Sequence, residues 1–167
     1  MTALLLLICG STAAGKTTYA LELSRRLGAT HFSIDEWMMS LYGPDRPTPM
    51  DLPWMLQRIE RCEQQMAALA LQLGRNGTPS VLDISLLRPE HRRKWADLAA
   101  QAGLGVQLHF VDVAAEERWR RVGERNKLKG QTYRLTVTRP MFDYIDSVWQ
   151  PPTPEEMATL NGRRIAA

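Results

Sequence analysis

The sequence predicts an α/β fold in which a mainly parallel five-stranded sheet lies between two layers of helices. Short apolar runs of strand length alternate with longer segments whose apolar residues recur every three or four positions. Strands and helices that alternate in this way form parallel sheets covered on both faces. The first apolar run also leads directly into a glycine-bearing loop, which a helical pattern follows. With 167 residues, the chain is predicted to form one domain over 1–167.

The predicted elements follow one another without an internal repeat or a linker. Strands are predicted over 3–9, 30–34, 80–84 and 106–111, with a short fifth strand near 157–160. Helices are predicted over 18–27, 36–43, 52–73, 89–102, 114–126 and 138–149. The last helix is expected to pack through Met141, Ile145, Val148 and Trp149. Residues 43–49 contain three prolines and 127–135 have little periodicity, so both stretches are predicted to be loops.

The composition restricts the class of protein. A net charge of +3 suits a polyanionic nucleotide but is too weak to indicate nucleic-acid binding by itself. Cys9 and Cys62 show neither a disulfide framework nor a metal-ligand spacing, which favours a reducing compartment and a cytoplasmic location. The apolar run 3–9 is too short to span a bilayer and lacks the basic start of a signal peptide, so we expect no membrane partner. The sequence leaves the oligomeric state open.

The loop after the first strand matches the phosphate-binding pattern G-x-x-x-x-G-K-[ST] at every fixed position. Its glycines let the backbone approach a phosphate closely, and its N–H groups and the next helix can bind the anion. Lys16 can contact the β- and γ-phosphates, and Thr17 offers a hydroxyl to Mg²⁺. The pattern therefore predicts binding of a nucleoside triphosphate with Mg²⁺. The candidate nucleotide-binding residues are Gly10, Ser11, Thr12, Ala13, Ala14, Gly15, Lys16, Thr17 and Thr18.

Acidic residues follow the second, third and fourth predicted strands: Asp35, Asp83 and Asp112. Ligands bind beyond the carboxyl ends of parallel strands, so these positions are candidates for the site. Asp35 could accept a proton from an attacking hydroxyl, or it could be the N-cap of a helix that starts at Glu36. Asp83 resembles the acid after a short apolar strand that holds Mg²⁺ through water, so it is a candidate for contact with the metal or the substrate. The alternative is a turn residue at the strand end.

Three arginines of the helix over 114–126 fall at positions i, i+3 and i+7. Arg118, Arg121 and Arg125 therefore share one stripe, next to an apolar stripe that should pack on the sheet. The planar guanidinium group suits phosphate, so this stripe could face the ligand. The alternative is a solvated basic face that pairs with Glu117 and Glu124.

Taken together, these motifs resemble the small phosphate-loop kinases of the nucleoside-monophosphate-kinase type. The chain is most similar to the predicted kinases of the AAA_33 type, which resemble chloramphenicol phosphotransferase, zeta toxin and polynucleotide 5′-hydroxyl kinase domains. The resemblance covers most of the chain. It rests on Gly10–Thr18, Ile34-Asp35, Leu82-Asp83 followed by residues 88–93, and Arg121-x-x-x-Arg125-Asn126.

The resemblance implies a three-layer P-loop NTPase fold with a lid at about 126–136, and ATP and Mg²⁺ as cofactors. It implies that Lys16 and Thr17 hold phosphate and Mg²⁺ and that Asp35 is the base. Asp83 joins Thr17 as a candidate for the metal. In the lid region, it implies that Arg121 lies near the adenine and Arg125 near the transferring phosphate. The implied catalytic residues are thus Lys16, Asp35 and Arg125.

One position departs from the polynucleotide kinases, which carry an arginine three residues after the base, where this chain has Met38. The resemblance therefore favours an ATP-dependent kinase of a small hydroxyl compound: a metabolite, an antibiotic or a nucleotide-like molecule. A polynucleotide 5′-hydroxyl kinase is an alternative, and Arg46, Arg88 and Arg92 are candidate contacts for an anionic substrate. The other alternative is a non-catalytic nucleotide-binding regulator. A GTPase is disfavoured, because the stretch nearest to [NT]-K-x-D ends in Lys129.

Overall fold

The structure is a computed structural model that describes residues 3–130 and 136–166. In this part of the chain, strands and helices alternate as the sequence predicts. In order, the elements are β1 (Leu4–Cys9), α1 (Lys16–Leu27), β2 (Thr30–Ser33), α2 (Ile34–Tyr42), α3 (Leu52–Arg75), β3 (Ser80–Asp83), α4 (Pro89–Gln101), β4 (Gly105–Asp112), α5 (Ala115–Leu128), α6 (Arg139–Val148), α7 (Pro154–Thr159) and β5 (Arg163–Ala166).

The five strands form one sheet in the order β2-β3-β1-β4-β5, and every neighbouring pair is parallel. This arrangement confirms the predicted fold class. The strand β1 lies at the centre, which explains why its sequence is an unbroken apolar run. Ser33 is in register with Asp83, so the ends of β2 and β3 lie side by side at the carboxyl edge of the sheet.

The core has two layers, one on each face of the sheet. Leu5, Leu7 and Cys9 of β1 pack with the buried residues of α3 and α4, whereas Leu6 and Ile8 pack with α1. Alternate residues of a strand point to opposite faces, so a single apolar strand supplies both layers. None of the described helices is long and apolar enough to cross a membrane.

The predicted fifth strand near 157–160 is wrong. Those residues lie at the end of α7, and the fifth strand is β5, at Arg163–Ala166. The hydroxyl of Thr153 accepts a hydrogen bond from the backbone N–H of Glu156 and caps α7. Asn161 then adopts a φ of +48°, which lets the chain turn into the strand.

Two smaller predictions about helices also change. One residue of the predicted packing face of α6 is wrong: Met141 is exposed, and the adjacent Phe142 is buried against Trp119. The other three predicted residues, Ile145, Val148 and Trp149, are half-buried. The region predicted as a lid, about 126–136, begins inside α5, which continues to Leu128. Residues 131–135 of that region lie outside the described residues.

Candidate active site

The loop between β1 and α1 requires glycine at two positions. Gly10 has a φ of +152°, and a Cβ there would lie 2.6 Å from the carbonyl oxygen of Val111. Gly15 has a φ of +97° and is the N-cap of α1, which begins at Lys16 rather than at residue 18. Ala13 also adopts a left-handed conformation, with a φ of +61°. The loop thus leads its backbone directly to the N-terminus of α1, where N–H groups lack helical partners and can bind an anion.

Lys16 is bound to the phosphate loop and interacts electrostatically with two acids at the sheet edge. Its ammonium group donates a hydrogen bond of 3.0 Å to the carbonyl oxygen of Ser11. Burial lowers the pKa of Lys16, while the negative charges of Asp83 and Asp35 act in the opposite direction. The ammonium group of Lys16 therefore interacts electrostatically with both carboxylates. Its positive charge can also balance the negative charge of a bound phosphate.

The hydroxyl of Thr17 donates a hydrogen bond of 2.6 Å to the buried carboxylate of Asp83. Asp83 ends β3, which lies next to β1 in the sheet, so the topology brings the two residues together. In the described part of the chain, no cluster of three or more His, Cys, Asp and Glu side chains could hold a metal ion. The oxygen pair still fits Mg²⁺, which takes one or two protein oxygens together with phosphate and water oxygens.

Asp35 lies in the first turn of α2, beyond the end of β2, and it is exposed. The alternative that it caps this helix is wrong. The cap is Ser33, whose hydroxyl accepts a hydrogen bond of 3.3 Å from the backbone N–H of Glu36. Because β2 ends at Ser33 in register with Asp83, Asp35 follows at the same edge of the sheet as the phosphate loop. Its exposed carboxylate thus lies at the carboxyl edge of the sheet, where ligands of parallel sheets bind.

The three arginines predicted to share a stripe of α5 have different environments. Arg118 is buried and binds the carbonyl oxygens of Val113 (2.9 Å) and Thr12 (3.4 Å) and the carboxylate of Asp146 (2.7 Å). Its guanidinium group therefore connects the phosphate loop, the segment after β4, and α6. This side chain is neither on a solvated face nor open to the ligand.

Arg121 and Arg125 lie further along α5 and are half-buried. Arg121 donates to Glu117 (2.8 Å) and, more weakly, to the carbonyl oxygen of Ala14 in the phosphate loop (3.4 Å). The solvated face exists, but Arg120 forms it by pairing with Glu117 and Glu124. Hydrogen bonds from Arg120 and Arg121 lower the pKa of Glu117 to about 2, so this carboxylate stays ionised and fixes Arg121 beside the loop.

The sequence profile of the AAA domain family, AAA_33, matches residues 5–150. The chain belongs to this family. A search of curated proteins gives no match.

Three solved structures show the fold of this AAA domain protein. The Mycobacterium tuberculosis APS kinase CysC, in complex with AMPPNP and APS, has a TM-score of 0.65 and 19% identity, covering 99% of this chain and 88% of that chain. A gluconokinase from Sinorhizobium meliloti 1021 has a TM-score of 0.58 and 13% identity, covering 99% and 82%. A chain of the Pnkp1/Rnl/Hen1 RNA repair complex has a TM-score of 0.69 and 15% identity, covering 88% and 44%. Family and fold together confirm the predicted resemblance to small phosphate-loop kinases.

Two contacts of this AAA domain protein were not predicted. The hydroxyl of Ser11 donates a hydrogen bond of 3.0 Å to Asp146, the acid that also pairs with Arg118. The side-chain amide of Asn126 both donates to the carbonyl oxygen of Val137 (2.8 Å) and accepts from its N–H (3.1 Å), which joins α5 to the residue before the N-cap of α6. Asn126 belongs to the motif Arg121-x-x-x-Arg125-Asn126. No pattern in the sequence marks Asp146 as a contact of the phosphate loop.

The predicted contacts to an anionic substrate need a correction. Arg92 is wholly buried and forms two hydrogen bonds to the carboxylate of Glu156, at 2.6 and 2.8 Å, so it cannot contact a substrate. Arg46 and Arg88 are exposed. Asp112 forms an ion pair with Arg164 of β5, so it is no longer a candidate for the site. Thr18 is exposed at the start of α1.

The buried histidine of β4 has a structural environment. The Nδ1 atom of His109 lies 2.6 Å from the hydroxyl of Tyr19 in α1, and its Nε2 atom lies 2.9 Å from the amide oxygen of Gln107. Burial lowers the pKa of His109 to about 4, with smaller contributions in the same direction from Arg163 and Arg26. The ring is thus neutral at pH 7, where it ties α1 to the sheet.

Proposed function

We propose that this protein is an ATP-dependent kinase that moves the γ-phosphate of ATP to a hydroxyl group of a small molecule. The observation that carries the proposal is the hydrogen bond of 2.6 Å from Thr17 to Asp83. It lies beside Lys16, which interacts electrostatically with both Asp83 and Asp35. A loop that only bound phosphate would need neither acid. Membership of the AAA domain family and the shared fold with an APS kinase and a gluconokinase support the proposal.

In this proposal, the chain forms one kinase domain over 1–167 with a lid at about 126–136. The loop N–H groups and Lys16 bind the ATP phosphates, and Arg121, held by Glu117, lies near the adenine. Thr17 and Asp83 hold Mg²⁺, which when bound offsets the negative charge of the phosphates. Arg125, one helical turn beyond Arg121, supplies positive charge to the transferring phosphate.

Asp35 is the proposed base. Its carboxylate takes the proton of the acceptor hydroxyl while the hydroxyl oxygen bonds to the γ-phosphorus. The bond between that phosphorus and the β,γ-bridging oxygen breaks, and ADP leaves with the electron pair. Phosphoryl transfer has a loose transition state, so Asp35 chiefly orients the hydroxyl and accepts its proton late. The exposure of Asp35 supports this role, because the acceptor must reach it from solvent.

The environment of Met38 supports a small acceptor rather than a polynucleotide end. Met38 stands where polynucleotide kinases carry an arginine, and its side chain packs against the core cluster of the sheet, as do Trp37 and Tyr42. A chain that bound a 5′ end would place a positive charge near this turn to meet the nucleic-acid phosphate. The same turn of α2 here is apolar on its inner side.

The test is a screen of hydroxyl compounds for ADP release that depends on the acceptor, in the presence of MgATP. Lys16→Ala should abolish that release. Asp35→Asn should lower kcat by roughly 10²–10⁴-fold, the range for loss of a general base, and leave nucleotide binding and the melting temperature nearly unchanged. Glu36→Gln, a change at the next exposed acid of the same turn, is the matched control and should keep wild-type turnover.

Three outcomes would contradict the proposal. Nucleotide binding without release for any small hydroxyl compound would favour the regulator alternative. Release only with a 5′-hydroxyl oligonucleotide would favour the polynucleotide kinase. A stable Asp35→Asn protein with full turnover would remove the base assignment.

A further inference from the structure

We propose that Asp146 is a positioning residue that holds the phosphate loop in the shape that binds nucleotide. Asp146 lies in α6 and belongs to none of the motifs that carry the proposed function. One of its carboxylate oxygens, Oδ1, accepts hydrogen bonds from the hydroxyl of Ser11 (3.0 Å) and from Arg118 (2.7 Å). A single atom of α6 thus contacts both the loop and α5. The inference rests on the proposed function only in that the loop binds ATP.

Ser11 transmits this contact to Lys16. Its side chain is held by Asp146, and its carbonyl oxygen accepts hydrogen bonds from the ammonium group of Lys16 (3.0 Å) and the N–H of Ala14 (3.3 Å). Ser11 is 3% exposed, so water cannot readily replace Asp146 as the acceptor of its hydroxyl. A shift of Ser11 would therefore move the group to which Lys16 is bound and the turn that presents the loop N–H groups.

Arg118 provides the second connection to the loop. Besides Asp146, it binds the carbonyl oxygens of Thr12 and Val113, and its side chain is 7% exposed. A buried guanidinium group needs a counter-charge, and Asp146 provides it. In return, Arg118 neutralises the carboxylate, which would otherwise repel the phosphates close to Ser11 and Thr12. The pair can therefore hold the loop without adding net charge to the site.

The docking of α6 does not depend on Asp146 alone. Phe142, one turn earlier, is buried, and its ring lies 5.3 Å from that of Trp119 and 5.2 Å from the guanidinium carbon of Arg118. Removing the Asp146 carboxylate should therefore leave α6 on α5 through this apolar contact. The same helix also offers a matched control: Asp143 forms an exposed ion pair with Arg139 and has no described contact with the phosphate loop.

The experiment measures MgADP binding by isothermal titration calorimetry, so it needs no acceptor. Ser11→Ala and Asp146→Ala should each raise the Kd about tenfold, a size expected for a lost hydrogen bond to a charged group. The double variant should bind no more weakly than the weaker single variant, because both changes break the same contact. Asp146→Asn keeps an oxygen for Ser11 but loses the charge, and it should fall between wild type and Asp146→Ala. Asp143→Ala should bind like wild type.

A lower melting temperature of Asp146→Ala with an unchanged Kd would overturn the proposal, since it would leave only a structural role. Effects of Ser11→Ala and Asp146→Ala that multiply in the double variant would also overturn it. If Asp146→Ala does not fold, Ser11→Ala and Asp146→Asn decide, and wild-type binding by Ser11→Ala refutes the role. If the proposed kinase function fails, the wild-type protein would bind MgADP but show no turnover with any acceptor. The comparison of Kd values between the wild type and the Ser11 and Asp146 variants would still be valid.

Discussion

The ion pair between Arg92 and Glu156 gives a prediction that separates a structural role from a role in substrate binding. Arg92 in α4 is wholly buried and uses three of its nitrogens: two bind Glu156 of α7, and the third binds the carbonyl oxygens of Leu86 and Gln150, each at 3.0 Å. The arginine therefore ties the segment after β3 to the segments before and within α7. Glu156→Ala removes the counter-charge and leaves the guanidinium group buried.

Breaking one side of a buried ion pair costs about 3–5 kcal/mol of unfolding free energy. In a chain of this size, each kcal/mol lowers the melting temperature by about 2–4 °C, so Glu156→Ala should lower it by about 6–20 °C. Thermal unfolding followed by circular dichroism measures this shift. Glu155→Ala, a change at the adjacent and exposed acid of α7, is the control. It loses only an exposed contact with the cap residue Thr153 and should lower the melting temperature far less than Glu156→Ala does.

The same variants test whether Arg92 contacts a substrate. If Arg92 is structural, Glu156→Ala should keep the KM for the acceptor at temperatures where the protein remains folded. An unchanged melting temperature together with a raised acceptor KM would refute the structural role. It would return Arg92 to the set of residues that bind an anionic substrate.

Three further predictions concern single side chains. Arg125→Ala should lower kcat far more than it raises the KM for ATP, whereas Arg121→Ala should mainly raise that KM; equal and small effects in steady-state kinetics would contradict both roles. Because the pKa of His109 is lowered from 6.5 to about 4, the unfolded state takes up the proton first. The contribution of His109 to stability should therefore be complete above pH 6.5 and be lost as the pH drops to about 4. In urea unfolding at stepped pH, His109→Gln should flatten that fall, and an unchanged slope would argue against it. Ala13→Gly should raise the unfolding free energy by about 0.5–1 kcal/mol, because it relieves a left-handed alanine at some cost in chain entropy; an equal or lower value in urea unfolding would exclude strain at this position.

The phosphate loop could be predicted from the sequence because its residues act locally. Gly10 and Gly15 are needed by backbone conformation within the loop itself, and Lys16 and Thr17 follow in the same motif. The position of Asp83 also followed from a simple rule, since the ends of parallel strands meet at one edge of the sheet. The 2.6 Å contact between Thr17 and Asp83 is the direct result of that rule and of the pairing of β1 with β3.

The missed features depend on contacts between distant parts of the chain or on one-residue boundaries. Ser11 and Asp146 are 135 positions apart, and nothing local marks either as a partner of the other. Arg92 lies in a basic run that resembles a solvated helix face, and only tertiary packing buries it. Serine and aspartate are both favoured N-cap residues, so the sequence alone does not distinguish Ser33 from Asp35 as the cap of α2. Because α2 begins at Ile34, the residue before it, Ser33, is the cap.

The strand β5 has a consequence for how copies of this protein can associate. It lies at one edge of the sheet, pairs with β4, and is mostly exposed. An edge strand can recruit a strand from another molecule, and exposed charge on the edge opposes this. Arg163 and Arg164 place two positive charges on the four-residue strand, and the side chain of Arg164 is 73% exposed. Arg164 pairs with Asp112, so its charge is partly neutralised, whereas two molecules that joined their sheets through β5 would still bring their Arg163 side chains together. This positive charge opposes the growth of a continuous sheet and the aggregation that follows from it.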